Sequence, residues 1–339
     1  MKTIVILGFM TAFSLGEDTP TLHHFQEPHM GCLFSITVSA KEKSKAEEAA
    51  KAAFQRIGEL DLKFSDYKAD SELSLLSASA GSGKPVRLSG DLRKILQQSQ
   101  EFCKWSDGTF DITLGACCKL WRTSRKTTTL PLETELKTAL NTIGFNELDL
   151  DFTTGQATPK QSGLMLDLGG IAKGFALDEA TTLLKTKYQV HDFLIDAGGQ
   201  VAAIGHPPNR TTWNVAVEKL PDEPESTPTL VARISDLHLA TSGDLHQSVT
   251  IGGKHYAHII DPKTGLGLTY TVQASVIAQN GAAADAIATA LCIRPEDTAR
   301  AKLTEFPGVE VRVLRKSDKG TLTSWETKGW AKYTSKPQP

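Results

Sequence analysis

The stretch from Leu164 to Asp178, LMLDLGGIAKGFALD, constrains the chain more than any other. An apolar run, Leu164 to Leu166, ends in Asp167. Gly169 and Gly170 follow, and Ile171, Phe175 and Leu177 then open a helical pattern. A strand that passes through a glycine pair into a helix leaves unpaired backbone N–H groups at the helix start. Those groups and the helix dipole favour an anion. Lys173 falls in the first helical turn, in reach of a phosphate. An ordinary glycine-rich turn with a solvated lysine has the same local pattern.

Around this centre the chain alternates groups of strands with helices, an α+β arrangement rather than a strict βαβ array. The strongest helical spacing runs from Lys41 to Leu62, with Ala46, Ala49, Ala50, Ala53, Phe54, Ile57 and Leu60 on one face. Further helices are expected over Asp91–Trp105, Leu132–Asn141, from the glycine pair to Lys187, over Gly281–Cys292 and near Glu296–Thr304. Strands are expected at Met30–Ser39, Phe193–Asp196, Gln200–Ile204, Trp213–Val217, Leu230–Ile234, Val272–Ala278, Val309–Leu314 and Gly320–Glu326. Hairpins are expected across Thr154-Gly155 and Gly252-Gly253. Residues 122–129, basic and rich in threonine, read as a loop. Gly81-Ser82-Gly83-Lys84 fails as a phosphate loop, because Ala78 stands where the first glycine is needed and Pro85 where Ser or Thr is needed.

Net charge is −2, from 37 basic and 39 acidic residues, so nothing asks for nucleic acid as a partner. The five cysteines, an odd number in a long chain, make no disulfide framework, and adjacent Cys117 and Cys118 read as small core residues. Lys2 precedes an apolar run of 12 residues, Ile4 to Leu15, too short to span a bilayer. A basic start, a short apolar core and Gly16 fit a secretory signal, and a first β-strand is the alternative. The expected organisation is a signal peptide over 1–16, a polar tether over 17–29 with His23, His24 and His29, one domain over 30–330, and a tail over 331–339. No transmembrane helix is expected.

Asp285 and Thr289, four apart on a helix, face the same way. Carboxylate and hydroxyl oxygens suit a hard cation such as Mg²⁺, although an acidic residue near a helix start and a threonine one turn on are also ordinary helix features. His255 and His258 are three apart on a strand and point to opposite faces, so one strand would not present both to one metal.

Five stretches together resemble the ApbE family, the FAD:protein FMN transferases. They are Phe64–Leu73 (FSDYKADSEL), Gly108–Trp121 (GTFDITLGACCKLW), Asp167–Asp178 (DLGGIAKGFALD), Ala240–Asp244 (ATSGD) with His258–Gly265 (HIIDPKTG), and Asp285–Leu291 (DAIATAL). They occur in the family's order and span residues 30–291. The resemblance implies a single α+β catalytic domain with mixed or antiparallel sheets and flanking helices. It implies that FAD is the substrate and Mg²⁺ the cation, and that FMN is moved onto a Thr (or Ser) hydroxyl of an acceptor protein with release of AMP. Asp285 and Thr289 match the metal-binding side chains, and Gly170 matches the position whose carbonyl completes that site. Met30, Tyr67, Thr109, Phe110, Asp111, Asp167, Lys173, His258 and Ile259 match flavin-nucleotide contacts. His258 is also the candidate general base by residue type. The family's acceptors are often subunits of membrane redox complexes, which fits an exported, periplasmic or envelope-associated enzyme; a cytoplasmic one would keep the first residues in the fold. An FAD pyrophosphatase and a flavin-binding protein without turnover are the alternatives. Three departures stand out: Cys32 where the family has Thr in Met-Gly-Thr, Ile112 where it has Pro in Phe-Asp-Pro, and Leu245 where an aromatic commonly follows Ser-Gly-Asp.

Overall fold

The computed structural model describes residues 19–220, 229–244, 248–317 and 320–335. In chain order the first elements are β1 (Thr21–His29), β2 (Cys32–Ala40), α1 (Lys43–Phe64), α2 (Glu72–Ala78), β3 (Val86–Arg87), α3 (Gly90–Trp105), α4 (Gly115–Thr127) and α5 (Glu133–Leu140). After a short 3₁₀ turn come β4 (Leu148–Asp151), β5 (Gln156–Pro159), α6 (Ala172–Thr186), β6 (Phe193–Asp196), β7 (Gln200–Ile204), β8 (Trp213–Ala216), β9 (Val231–Ile234) and β10 (Leu237–Gly243). The last are β11 (Val249–Ile251), β12 (Lys254–Tyr256), β13 (Thr271–Ala278), α7 (Gly281–Ile293), α8 (Glu296–Leu303), β14 (Glu310–Lys316), β15 (Leu322–Glu326), α9 (Trp330–Tyr333) and β16 (Thr334–Ser335).

Eight strands form the central sheet in the order β1-β2-β6-β7-β10-β13-β14-β15, and every neighbouring pair is antiparallel. Strand alternation gives this sheet two apolar faces. Phe34, Ile36, Ile195, Ala202, Val272 and Val276 face the helix layer, in one core with buried residues of α1, α6 and α7. Val201, Ala203, Leu239 and Ile277 face the other way, onto Trp213, Ile234 and Trp330 of the small β16-β9-β8 sheet and α9. The α+β expectation therefore holds, as a three-layer domain built on a fully antiparallel sheet.

Helix α1 forms where the apolar spacing predicts it, and its buried stripe runs from Ala46 to Phe64. Ser89 caps α3 by accepting from Leu92 N at 3.2 Å. The α6–α7 contact is closer than ordinary side chains permit. A Cβ on Gly174 would lie 2.1 Å from the Gly281 carbonyl oxygen, and one on Gly281 2.4 Å from that of Gly174. Asp178 of α6 accepts from Gly281 N at 2.6 Å and Ala282 N at 2.9 Å, so its carboxylate caps the start of α7.

Several expectations need correction. The polar tether is a strand: Thr21–His29 pairs along its whole length with β2, and His24 Nδ1 lies 3.0 Å from Thr37 Oγ1. Sheet pairing supplied the hydrogen bonds that a polar sequence did not advertise. Part of the tail belongs to the domain, because Thr334 and Ser335 pair with β9 and Tyr333 packs beside Trp330. Residues 122–127 continue α4 instead of looping. The Leu164–Leu166 run is no regular strand; it contributes one parallel bridge, Leu114 to Met165, and α6 starts at Ala172. Strand β10, which carries Ala240–Gly243 of the fourth motif, was not anticipated. The expected signal peptide over 1–16, Leu245, and most of residues 220–228, which hold three prolines and read as a surface loop, lie outside the described residues.

Candidate active site

One cavity opens where the helix-facing side of the sheet meets the starts of α6 and α4. Its walls bring together Tyr67, Thr109, Phe110, Asp111, Asp167, Gly170, Lys173, His258, Ile259, Asp285 and Thr289. Residues as far apart in sequence as Tyr67 and Thr289 thus converge.

At the helix end, Asp285 and Thr289 point from one face of α7 into the cavity. Asp285 is buried, and its Oδ2 accepts from Gly174 N at 3.0 Å. Its other oxygen makes no hydrogen bond among the described residues. Burial pushes this carboxyl above its usual range, while the Lys173 charge and the Gly174 N–H pull it back. Gly170 lies against Thr289: a Cβ there would sit 3.2 Å from Thr289 Oγ1 and 3.3 Å from Phe110 Cε2. A side chain here would press on Thr289 and Phe110, so glycine eases the close approach of the backbone to α7. Lys173 makes no hydrogen bond or ion pair among the described residues, although it lines the cavity. The side-chain donors collected here are a carboxylate and hydroxyls, with the Gly170 backbone beside Thr289. They fit a hard cation that keeps several waters or takes further oxygens from a bound phosphate. No group of three or more His, Cys, Asp or Glu side chains among the described residues could hold a metal without such help.

The opposite end is organised differently. Arg122 Nη2 donates to Asp167 at 2.5 Å, Nη1 donates to Asp66, and the guanidinium stacks on the Tyr67 ring at 4.4 Å. Burial, with repulsion from Asp167, raises the Asp66 carboxyl against the pull of Arg122. Asp167 Oδ1 also accepts from Gly169 N at 2.7 Å, shaping the glycine turn. Tyr67 is 77% exposed and offers a flat face to a ring system.

Thr109, Phe110 and Asp111 form the wall between the two ends. Asp111 accepts from Thr113 N at 2.8 Å and Thr113 Oγ1 at 2.7 Å, so its carboxylate closes a local turn while Phe110 packs behind Gly170. His258 closes the cavity from the other side. Burial, aided by the Arg125 and Lys173 charges, pushes its imidazole down to about 4, so it is neutral at pH 7. Its Nδ1 has no hydrogen-bond partner among the described residues.

Met30 is not among the lining residues. His29 and Cys32 pair directly, which leaves Met30 and Gly31 as a two-residue turn with φ of 47° and 76°, and Met30 packs partly against the core. Cys32 approaches the cavity instead: a Cβ on Gly198, a lining residue, would lie 3.4 Å from Cys32 Cβ.

The structure adds residues that sequence reasoning missed. Cys118, Trp121, Arg122 and Arg125 line the cavity from α4. Their 3-1-3 spacing is a helical stripe, a signal hidden once residues 122–129 are read as a loop. Gln200, Thr241 and Ser242 line it from β7 and β10. Ser242 Oγ lies 3.4 Å from Thr289 Oγ1. Asp244, buried at the end of the ATSGD stretch, is held by His255, which is not among the lining residues.

The model of the ApbE family matches residues 30–313. The FAD:protein FMN transferase of Treponema pallidum is 32% identical over 83% of this chain and 81% of its own length. That of Haemophilus influenzae is 27% identical over 91% and 87%. Among solved structures, the flavin transferase ApbE from Vibrio cholerae superposes with a TM-score of 0.81 at 22% identity, covering 93% of this chain and 99% of that one. The ApbE protein of Thermotoga maritima gives 0.80 at 24% identity, over 92% and 99%. With a family model spanning most of its length and a relative 32% identical over most of it, the chain belongs to the ApbE family.

Proposed function

We propose that this chain transfers the FMN part of FAD onto a Thr (or Ser) hydroxyl of an acceptor protein and releases AMP. The observation that carries this reading is the pairing of an unpartnered Lys173 with the oxygen cluster of Gly170, Asp285 and Thr289 in one cavity. Relatives over 30% identical bear the name of that activity.

In this reading Lys173 and the N–H groups at the start of α6 hold the pyrophosphate. Asp285, Thr289 and the Gly170 carbonyl would hold a Mg²⁺ ion, which would supply positive charge beside the phosphates. Tyr67, with Arg122 behind it, and the Thr109–Asp111 wall flank the flavin nucleotide. The bond that forms joins the acceptor oxygen to the FMN phosphorus, and the pyrophosphate bond to AMP breaks. His258 is neutral and has a free ring nitrogen, so it can take the hydroxyl proton.

The acceptor is a redox-complex subunit at the membrane, and the chain acts in the cell envelope. The support for the location is the N-terminal basic–apolar pattern of Lys2 to Leu15, and the acceptor class is carried over from the family resemblance. No helix among the described residues is long and apolar enough to cross a membrane. Incubation with FAD, Mg²⁺ and a candidate acceptor domain, read by mass spectrometry, tests the activity: an FMN adduct on the acceptor supports it. Free FMN with no adduct would make the chain a pyrophosphatase, and unchanged FAD would make it a binding protein.

A further inference from the structure

Gln200 is the first residue of β7 and lines the cavity, yet only 2% of its surface is exposed. Its Oε1 is shielded from solvent and has no hydrogen-bond partner among the described residues. A buried amide left unpaired is costly in the ligand-free protein, so such a group marks a place where a ligand completes the bonding.

Register tells which ligand. Ala202 and Ile204 belong to the helix-facing core, and Val201 and Ala203 to the opposite one, so Gln200 faces the helices. It pairs directly with Ala240, whose methyl leaves room above the sheet. Its diagonal neighbour on that face is Ser242, at a spacing of about 7–8 Å that a long side chain bridges. Ser242 Oγ in turn lies 3.4 Å from Thr289 Oγ1. The register therefore puts Gln200 on the same sheet face as Ser242, which reaches the oxygen cluster of α7.

We infer that Gln200 is a positioning residue for the divalent cation: its amide oxygen accepts a hydrogen bond from the water shell of the ion held by Asp285 and Thr289. The inference rests on the cation reading given above. A small hard cation keeps several waters, whose polarised protons need acceptors. Asp285 is the buried carboxylate on α7 beside Thr289, and its Oδ2 is already occupied by Gly174 N. A neutral amide oxygen adds an acceptor without adding a charge to repel the pyrophosphate.

The test titrates Mn²⁺, counted from the electron paramagnetic resonance signal of the free ion, into the full chain saturated with FAD and without acceptor. Wild type is compared with Gln200→Met, Gln200→Glu and Asp285→Ala. Removing an outer partner of a metal typically weakens binding about 10–100-fold, and that is the loss expected for Gln200→Met. The melting temperature of Gln200→Met without ligands should equal or exceed that of wild type, because the substitution removes an unpaired buried polar group. Gln200→Glu should bind Mn²⁺ more tightly. Wild-type affinity in Gln200→Met overturns the inference. So does a Gln200→Glu variant that loses FAD without gaining Mn²⁺ affinity, because the amide nitrogen would then face phosphate. Asp285→Ala separates the two levels: if it binds Mn²⁺ like wild type, the cation site itself is wrong, and the role of Gln200 falls with it. If it loses the ion while both Gln200 variants behave as wild type, only the inference about Gln200 falls.

Discussion

The two ends of the cavity manage their polar groups in opposite ways. At the α6–α7 end, Lys173, one oxygen of Asp285 and the Gln200 amide oxygen lack partners among the described residues. At the α4 end, Arg122, Asp66, Asp167 and Tyr67 satisfy one another. The first arrangement is held open by backbone packing, through glycines that let α6 and α7 touch. It is preorganised for charge that only a ligand brings. The second is a closed network that presents a shaped surface. Binding energy should therefore concentrate at the α6–α7 end, with the α4 end contributing fit.

Substitutions can break that contrast. Asp285→Ala should have the largest effect, because it removes the carboxylate that α7 brings to the oxygen cluster. Metal stabilisation of developing charge is worth several kcal/mol, so turnover should drop by about a thousandfold or more in a mass-spectrometric adduct assay. Wild-type turnover with Mg²⁺ would place the cation elsewhere. Gly170→Val comes next. Its branched side chain would meet Thr289 and Phe110, and overpacking of this kind costs roughly 1–3 kcal/mol, read here as lost cation and FAD affinity with a lowered melting temperature.

Lys173→Ala removes a charge-assisted phosphate contact of about 1.5–3 kcal/mol, so the FAD dissociation constant should rise roughly 10–100-fold. Since Lys173 has no partner to abandon, the fold should be unaffected, and an unchanged dissociation constant would assign it to solvent. Tyr67→Ala should be mildest. A largely exposed ring contributes about 0.5–1.5 kcal/mol of stacking, and the loss should appear as a few-fold weaker FAD binding in fluorescence titration. If Tyr67→Ala outweighs Lys173→Ala, the contrast between the ends is reversed.

Much of this was legible in one dimension. The Asp285–Thr289 pair needs only helical spacing, and that helix forms where alanines and Ile287 predict it. Gly169, Gly170 and Lys173 mark a helix start because a glycine pair before an apolar periodicity has few other uses. The α1 and α3 stripes, the strands Phe193–Asp196 and Gln200–Ile204, and the hairpin at Thr154-Gly155 follow from local pattern in the same way.

Other features depended on partners far along the chain. Thr21–His29 is polar, and it becomes a strand because β2 offers an edge with free hydrogen-bonding groups. Arg122 joins the site because α4 runs on through a basic, threonine-rich segment, and Asp66 and Asp167 arrive from elsewhere to pair it. Met30 is drawn away from the cavity wall by the pairing of its neighbours, His29 and Cys32. Gln200 looks like any strand residue until register sets it across from Ala240 and beside Ser242. The sequence by itself determined which residue types could meet a phosphate and a hard cation, because helical spacing and glycine conformation are local. The tertiary structure alone decided which polar groups were left without partners, because that depends on what the fold brings within about 3 Å.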